Sequence, residues 1–172
     1  MELRPYQREL VERIRNELRD GKKAVCAVLG CGGGKSVIQG CIARSATDKG
    51  NRVLFLVHRK ELSQQIAATF AACGVDMELC TVGMVQTITR RIKGMKPPEL
   101  IITDECHHSA AKSYINIYEA FPHAVRLGFT ATPVRLGMGG LGAIYDSLVE
   151  GVSTGWLIDN GYLSPYEYYS VK

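Results

Sequence analysis

The stretch LGCGGGKS, residues 29–36, decides how this chain is read. It holds four glycines in eight residues and closes on Lys-Ser. Two readings compete for it: a flexible turn that happens to end in a lysine, or a loop whose backbone N–H groups converge on an anion. The flanks separate them. Upstream, AVCAVL (24–29) is a continuous apolar run, the pattern of a strand covered on both faces. Downstream, SVIQGCIARSA (36–46) patterns as a helix. In a strand–loop–helix unit the glycines let successive N–H groups turn inward, and the helix N-terminus adds its positive dipole at the same point. That is the build of a phosphate cradle. Lys35 would then reach the β- and γ-phosphates and the Ser36 hydroxyl would hold Mg²⁺. One departure stands out: the usual pattern has glycine where Leu29 stands.

Outward from this unit, strands and helices alternate. Residues 5–20 predict a helix, with Pro5 at its first position and Tyr6, Leu10, Ile14 and Leu18 on one face; Asp20-Gly21 stops it. RVLFLV (52–57), LCTV (79–82), LIITDE (100–105) and AVRLGFT (124–130) read as strands. Segments 60–73, 84–92 and 113–121 read as helices between them. The stretch from Ala143 to Asn160 predicts a last helix, weakened by Gly151 and Gly155. Alternation of this kind predicts an α/β fold with a central, mostly parallel sheet flanked by helices on both faces. Composition does not shift along the 172 residues, so a single domain over 1–172 is expected.

The balance of residues excludes little and fits this picture. The chain is 46% hydrophobic, enough for a core without disulfides or a structural metal. A net charge of +4 permits a local nucleic-acid patch without demanding one. Cys26, Cys31, Cys41, Cys73, Cys80 and Cys106 form no C-x-x-C pair, which predicts free thiols in a reducing compartment. MELRPYQREL lacks the apolar run of a signal peptide, and no segment is long enough to span a bilayer. A cytoplasmic chain without a membrane partner is expected.

The second chemical element is IITDECHH (101–108). A buried strand delivers Asp104 and Glu105 at its C-terminal end, the edge where open α/β sheets bind ligands. Asp104 is placed to hold Mg²⁺, and Glu105 to orient or deprotonate an attacking water. Solvated acids at a strand end are common, but a phosphate loop followed in order by a strand-terminal acid pair makes that reading improbable. Adjacent residues tend to point to different sides, and His107 and His108 have no Cys or His partner at ligand spacing, so a zinc site is not expected.

With DECH (104–107) followed by GFTATP (128–133), the chain resembles the superfamily 2 helicases and translocases of the DEAD/DEAH-related kind. The resemblance covers nearly the whole sequence. LRPYQ (3–7) is similar to that superfamily's adenine-recognition segment, and LGCGGGKS to its phosphate loop, where the first position need not be glycine. VLFLVHRKEL (53–62) resembles motif Ia and VGMVQTITRR (82–91) motif Ib. DECH resembles motif II, TAT (130–132) motif III, and GYLSPY (161–166) the exit toward a second domain. TATPVRLG with GYLSP is similar to RadD-type DNA-repair helicases and to restriction-enzyme translocases.

The resemblance implies a RecA-like P-loop NTPase domain using ATP and Mg²⁺. It implies that Gln7 reads the adenine edge and that Arg4 packs on the base or phosphates. Gly32, Gly33, Gly34, Lys35 and Ser36 would bind phosphates, with Ser36 and Asp104 at the metal and Glu105, Asp104 and Lys35 catalytic. His107 would relay nucleotide state toward Thr130 and Thr132, which would couple hydrolysis to movement. His58, Arg59, Gln86 and Thr87 would lie along a nucleic-acid track, DNA favoured over RNA. From the residues alone Arg59 reads equally as a solvated basic loop, and Gln86 and Thr87 as ordinary polar residues at a helix start. GMGGLG (137–142) matches G-x-G-x-x-G as letters, but it does not follow its strand directly and is read as a loop past TAT, with Arg135 at its base.

Phosphoryl transfer of this kind usually needs an arginine from outside the phosphate loop. In the resembling family it comes from a second RecA-like domain, in cis or in trans. The 172 residues are therefore expected to be the first motor domain of a longer protein, or a stand-alone fragment, weak or inactive as an ATPase alone. The competing class is a nucleotide-binding regulatory module without strand movement. A GTPase is disfavoured because N-K-x-D is missing, and a kinase would not need TAT after the acid pair.

Overall fold

A computed structural model of the chain describes residues 2–132 and 141–165. Its elements run α1 (Pro5–Arg19), β1 (Ala24–Val28), α2 (Lys35–Thr47), β2 (Val53–Val57), α3 (Lys60–Ala72), β3 (Cys80–Met84), α4 (Val85–Arg91), β4 (Leu100–Asp104), α5 (Lys112–Ala120), β5 (Val125–Thr130), β6 (Ser147–Glu150) and α6 (Thr154–Asp159). The six strands form one sheet in the order β3-β2-β4-β5-β1-β6, every neighbouring pair parallel. All strand C-termini therefore open on one edge.

The apolar runs explain the layers. In β1, Val25 and Ala27 face one side while Ala24 and Cys26 face the other. In β2, Val53, Phe55 and Val57 alternate likewise with Leu54 and Leu56. A strand buried on both faces has no polar face to show, so it reads as an unbroken apolar run. The first face packs Tyr6, Leu10 and Ile14 of α1, Ile38 and Ala43 of α2 and Ile66 and Phe70 of α3. Phe55 and Phe70 meet edge to face at 4.9 Å. The second face packs Val85 and Ile88 of α4 and Tyr114, Ile117 and Tyr118 of α5. Full burial of a large apolar side chain contributes about 1.5–3 kcal/mol, so these two layers dominate the stability.

One expectation fails. The helix predicted across Ala143–Asn160 is instead the edge strand β6 followed by the short helix α6. β6 pairs with β1 in the register Val25↔Ser147 through Val28↔Glu150. The physical reason is the open edge of β1, whose N–H and C=O groups need partners once it is buried. Asp146 fixes the start, its Oδ2 accepting from the backbone N–H of both Lys23 and Ala24 at 2.9 Å. Gly151 ends the strand where a side chain would meet Leu10, Leu29 and the Val28 carbonyl at 3.1 Å. GMGGLG lies outside the described residues up to position 140, as do Arg135 and the final residue of GYLSPY.

Candidate active site

The glycine loop leaves β1 at the C-terminal edge and turns tightly: Gly33 N–H donates to the Gly30 carbonyl at 3.1 Å. Gly32 and Gly34 both sit at φ +79°, which a side chain resists. Gly34 is the N-cap of α2, and with no side chain there the first N–H groups of the helix have no capping partner. An anion seated in front of them would satisfy those donors and the helix dipole together. Lys35 and Ser36 begin the helix, both half-buried.

Four of the expected residues meet here. Lys35 Nζ lies 2.9 Å from Glu105 Oε1. Glu105 Oε2 lies 3.3 Å from His107 Nδ1. That same ring nitrogen is 3.1 Å from Thr130 Oγ1. A continuous path of polar contacts therefore runs from the glycine loop, through DECH, to TAT. The Thr130 hydroxyl also closes a small turn, accepting from Thr132 N–H and donating to the Thr132 carbonyl, each at 3.2 Å. The Thr132 side chain itself is exposed and outside this path.

Glu105 is the one non-glycine residue with positive φ among the described residues, at φ 48° and ψ 53°. Holding a glutamate in the left-handed region costs about 1–3 kcal/mol and persists only where surrounding contacts impose it. The contacts are visible: Lys35 and His107 grip the carboxylate, while the next residue, Cys106, is fully buried against Cys26 with their sulfurs 3.5 Å apart. Beneath the acid pair, the Tyr118 hydroxyl lies 2.8 Å from Thr103 Oγ1 and 3.2 Å from Ser109 Oγ, and Ser109 Oγ lies 3.1 Å from the Tyr145 hydroxyl. This buried network pins both ends of the DECH segment.

Asp104 is paired differently. Its Oδ1 accepts from Gln39 Nε2 at 3.1 Å. Burial pushes its carboxyl above the usual range, against the pull of the Gln39 hydrogen bond; the neighbouring Glu105 charge pushes the same way. A half-buried carboxylate with a hydroxyl at the adjacent helix start is a hard-oxygen donor set that suits Mg²⁺. A further observation fits a hydrated ion: Gln39 is fully buried, and its Oε1 has no hydrogen-bond partner among the described residues. Ser36 and Asp104 are the residues that would hold the metal.

The LRPYQ segment reaches the same loop from the other side. Gln7 Nε2 donates to the Gly33 carbonyl at 2.9 Å, and Tyr6 Oη donates to that carbonyl at 3.0 Å. Gln7 Oε1 accepts the Arg4 N–H at 2.9 Å, closing the first turn of α1. Arg4 is exposed and holds its guanidinium 5.2 Å from the Tyr162 ring centroid. Tyr6, Trp156 and Tyr162 form an aromatic cluster beside it. His58 and Arg59 follow β2, and Gln86 and Thr87 open α4, on the same sheet edge. His58 stacks on His108 at 4.7 Å, which brings the end of β2 to the DECH segment. Gln39, the Tyr118 network and the Tyr6 cluster were not singled out from sequence. Only Gln39 carried a signal, a polar residue one helical turn beyond Lys35 in an apolar stretch.

Glycine loop, strand-end acids and TAT on one edge of an all-parallel sheet define a class: a RecA-like domain of the superfamily 2 helicases and translocases. The family described as Type III restriction enzyme, res subunit, matches residues 1–96 and 76–135, and the chain belongs to that family. A 51.5 kDa protein of Lactococcus phage (isolate 7-9) is 49% identical over 143 residues, covering 81% of this chain and 31% of that protein. The putative ATP-dependent helicase IRC3 of Saccharomyces cerevisiae is 30% identical over 200 residues, covering 99% of this chain and 29% of that one. The chain thus spans about a third of the length of these relatives. The crystal structure of the Pyrococcus furiosus Hef helicase domain superposes with a TM-score of 0.76 at 20% identity, over 96% of this chain and 41% of that one. No helix among the described residues is long and apolar enough to cross a membrane.

Proposed function

We propose that this chain is the first motor domain of a helicase or translocase, binding ATP with Mg²⁺ and coupling hydrolysis to strand movement when joined to a second RecA-like domain. The observation that carries the reading is the 2.9 Å pairing of Lys35 with Glu105 at the mouth of the glycine loop. The two charges neutralise each other. A polyphosphate in the loop competes for Lys35, because N–H groups and ammonium together outbid a single carboxylate. Glu105, released from the lysine, is then free to take a proton from water, with His107 still on its second oxygen. When bound, Mg²⁺ would supply positive charge to offset that of the phosphates. Ser36 and Asp104 hold the ion's side of the site; exposed Arg4 receives the adenine, and Gln7, buried with both amide ends held by Gly33 and Arg4, must release one of these bonds to read its edge.

His107 and Thr130 pass the change on toward the second domain. His58, Arg59, Gln86 and Thr87 offer polar groups along one edge for a nucleic-acid backbone. DNA is preferred over RNA as the track, since the family is named for a restriction enzyme. Six free cysteines suit a reducing cytoplasm. A regulatory nucleotide-binding module is the rival reading. It would bind nucleotide with no affinity for nucleic acid.

Calorimetry with ADP and ATP, with and without Mg²⁺, tests the proposal on this chain. Binding is expected, and Lys35→Ala should weaken it at least tenfold with the melting temperature near that of the parent. Folded parent chain that binds neither nucleotide would overturn the reading.

A further inference from the structure

We infer that Gln39 is a positioning residue for the hydrated metal ion, holding Asp104 with its amide N–H and accepting from a metal-bound water with its amide oxygen. The inference rests on the Mg²⁺-nucleotide reading above and extends it to a residue outside the phosphate loop and the acid pair.

Three observations carry it. Gln39 sits on α2 one turn after Lys35, so it faces the same side of the helix as the catalytic lysine. It is fully buried, and its Nε2 donates to Asp104 Oδ1 at 3.1 Å. Its Oε1 is buried without a partner among the described residues. A buried amide oxygen left without a donor is rare in folded proteins, and each case has a cause to be found, among them a water, an ion, strain or a catalytic role. Swapping the amide's two ends does not remove the problem. The nitrogen would then be the orphan, and two oxygens would face each other at Asp104. The acceptor therefore wants a donor from beyond the described residues. A water on the ion that Asp104 serves supplies one, since metal-bound waters are strong donors.

This gives Gln39 two effects that an apolar residue of the same size lacks. It orients the Asp104 carboxylate, and it helps offset the burial that disfavours the charged form. Partners of this kind behind a metal ligand typically set metal affinity by about 10–100-fold.

The test is Mg²⁺ titration of ADP binding, followed by calorimetry or by a fluorescent ADP analogue. Gln39→Leu should raise the Mg²⁺ midpoint by about 10–100-fold while ADP affinity in EDTA stays within about twofold. A merely structural glutamine would move both together or neither. Gln39→Met, unbranched like glutamine, is the second variant should leucine not fold. A crystal structure of the parent chain with Mn²⁺ and ADP needs no variant, and should show a water bridging Oε1 and the ion. An unchanged Mg²⁺ midpoint in folded variants, or Oε1 bonded to a protein group in that crystal, overturns the inference alone. Parent chain that binds ADP with no gain from Mg²⁺ overturns this inference and the metal half of the reading beneath it.

Discussion

Gly34→Ala separates two physical effects that this fold superimposes at the phosphate loop. The first is backbone: Gly34 sits at φ +79°, where an alanine costs about 1–2 kcal/mol. The second is crowding: a Cβ on Gly34 would lie 2.5 Å from Gln7 Nε2, a distance real Cβ atoms do not show. Gln7 must then withdraw from the Gly33 carbonyl and forfeit a hydrogen bond worth about 0.5–1.5 kcal/mol. The combined cost is about 1.5–3.5 kcal/mol. For a domain of this size that lowers the melting temperature by roughly 3–14 °C.

The structure supplies its own control. Gly50 has the same φ of +79° with nothing within 4 Å of the added carbon, so Gly50→Ala should show the backbone cost alone. In a Gln7→Ala background, Gly34→Ala should fall to the Gly50→Ala value, because the crowding partner is gone. Thermal unfolding by circular dichroism, without nucleotide, reads all of these. If Gly34→Ala costs the same with and without Gln7, the packing of α1 on the glycine loop is wrong. If it costs less than Gly50→Ala, the reasoning fails at its first step.

The remaining predictions concern the acid pair. Burial raises the Asp104 carboxyl, so folding favours its neutral form. The native chain then binds more protons than the unfolded one between the ordinary carboxylate range and the raised value, and stability falls as pH rises through that window. Asp104→Asn should therefore raise the melting temperature at neutral pH in metal-free buffer, with the gain vanishing below the ordinary carboxylate range; a lower melting temperature at neutral pH would contradict this. Tyr118→Phe should cost about 1–3 kcal/mol by stripping Thr103 and Ser109 of their shared hydroxyl. Tyr114→Phe should be neutral or stabilising, since the Tyr114 hydroxyl is buried without a partner among the described residues. Equal costs for the two tyrosines in chemical denaturation would rule out the network.

Sequence made some elements plain for a physical reason. β1, β2 and β4 are covered on both faces, so each carries a run of apolar residues that no surface helix shows. β6 carries no such signal. Its four residues, Ser147–Glu150, have one fully buried apolar side chain, Val149, too short a sample to reveal a period of two. Ile144, Leu148 and Val152 happen to recur at helical spacing, and only the unfilled edge of β1 decides between the two structures. That information lies more than a hundred residues upstream, in a strand that α1 and β5 already occupy on its other sides.

The site divides along the same line. Lys35, Asp104 and Glu105 are legible because anion binding and proton transfer demand those residue types at fixed places after a strand. Gln39, Tyr118 and Ser109 are not, because their role comes from a partner rather than from a ligand. A tyrosine in a helix looks like any other until the fold sets Tyr118 against Thr103, and the polar Gln39 in its apolar stretch gains a role only once it is set against Asp104. The consequence is specific. In the proposed function, the residues that sequence reveals are those that would meet the nucleotide, while those it hides hold the acid pair in place. Glu105 shows what that hold is for. Its left-handed backbone is unfavourable on its own, and it is kept by Lys35 and His107 at either oxygen and by buried Cys106 behind. Under the proposed function, phosphate drawing Lys35 away would remove one of the contacts that hold the strain, and His107, 3.1 Å from Thr130 Oγ1, would carry the loosening onward.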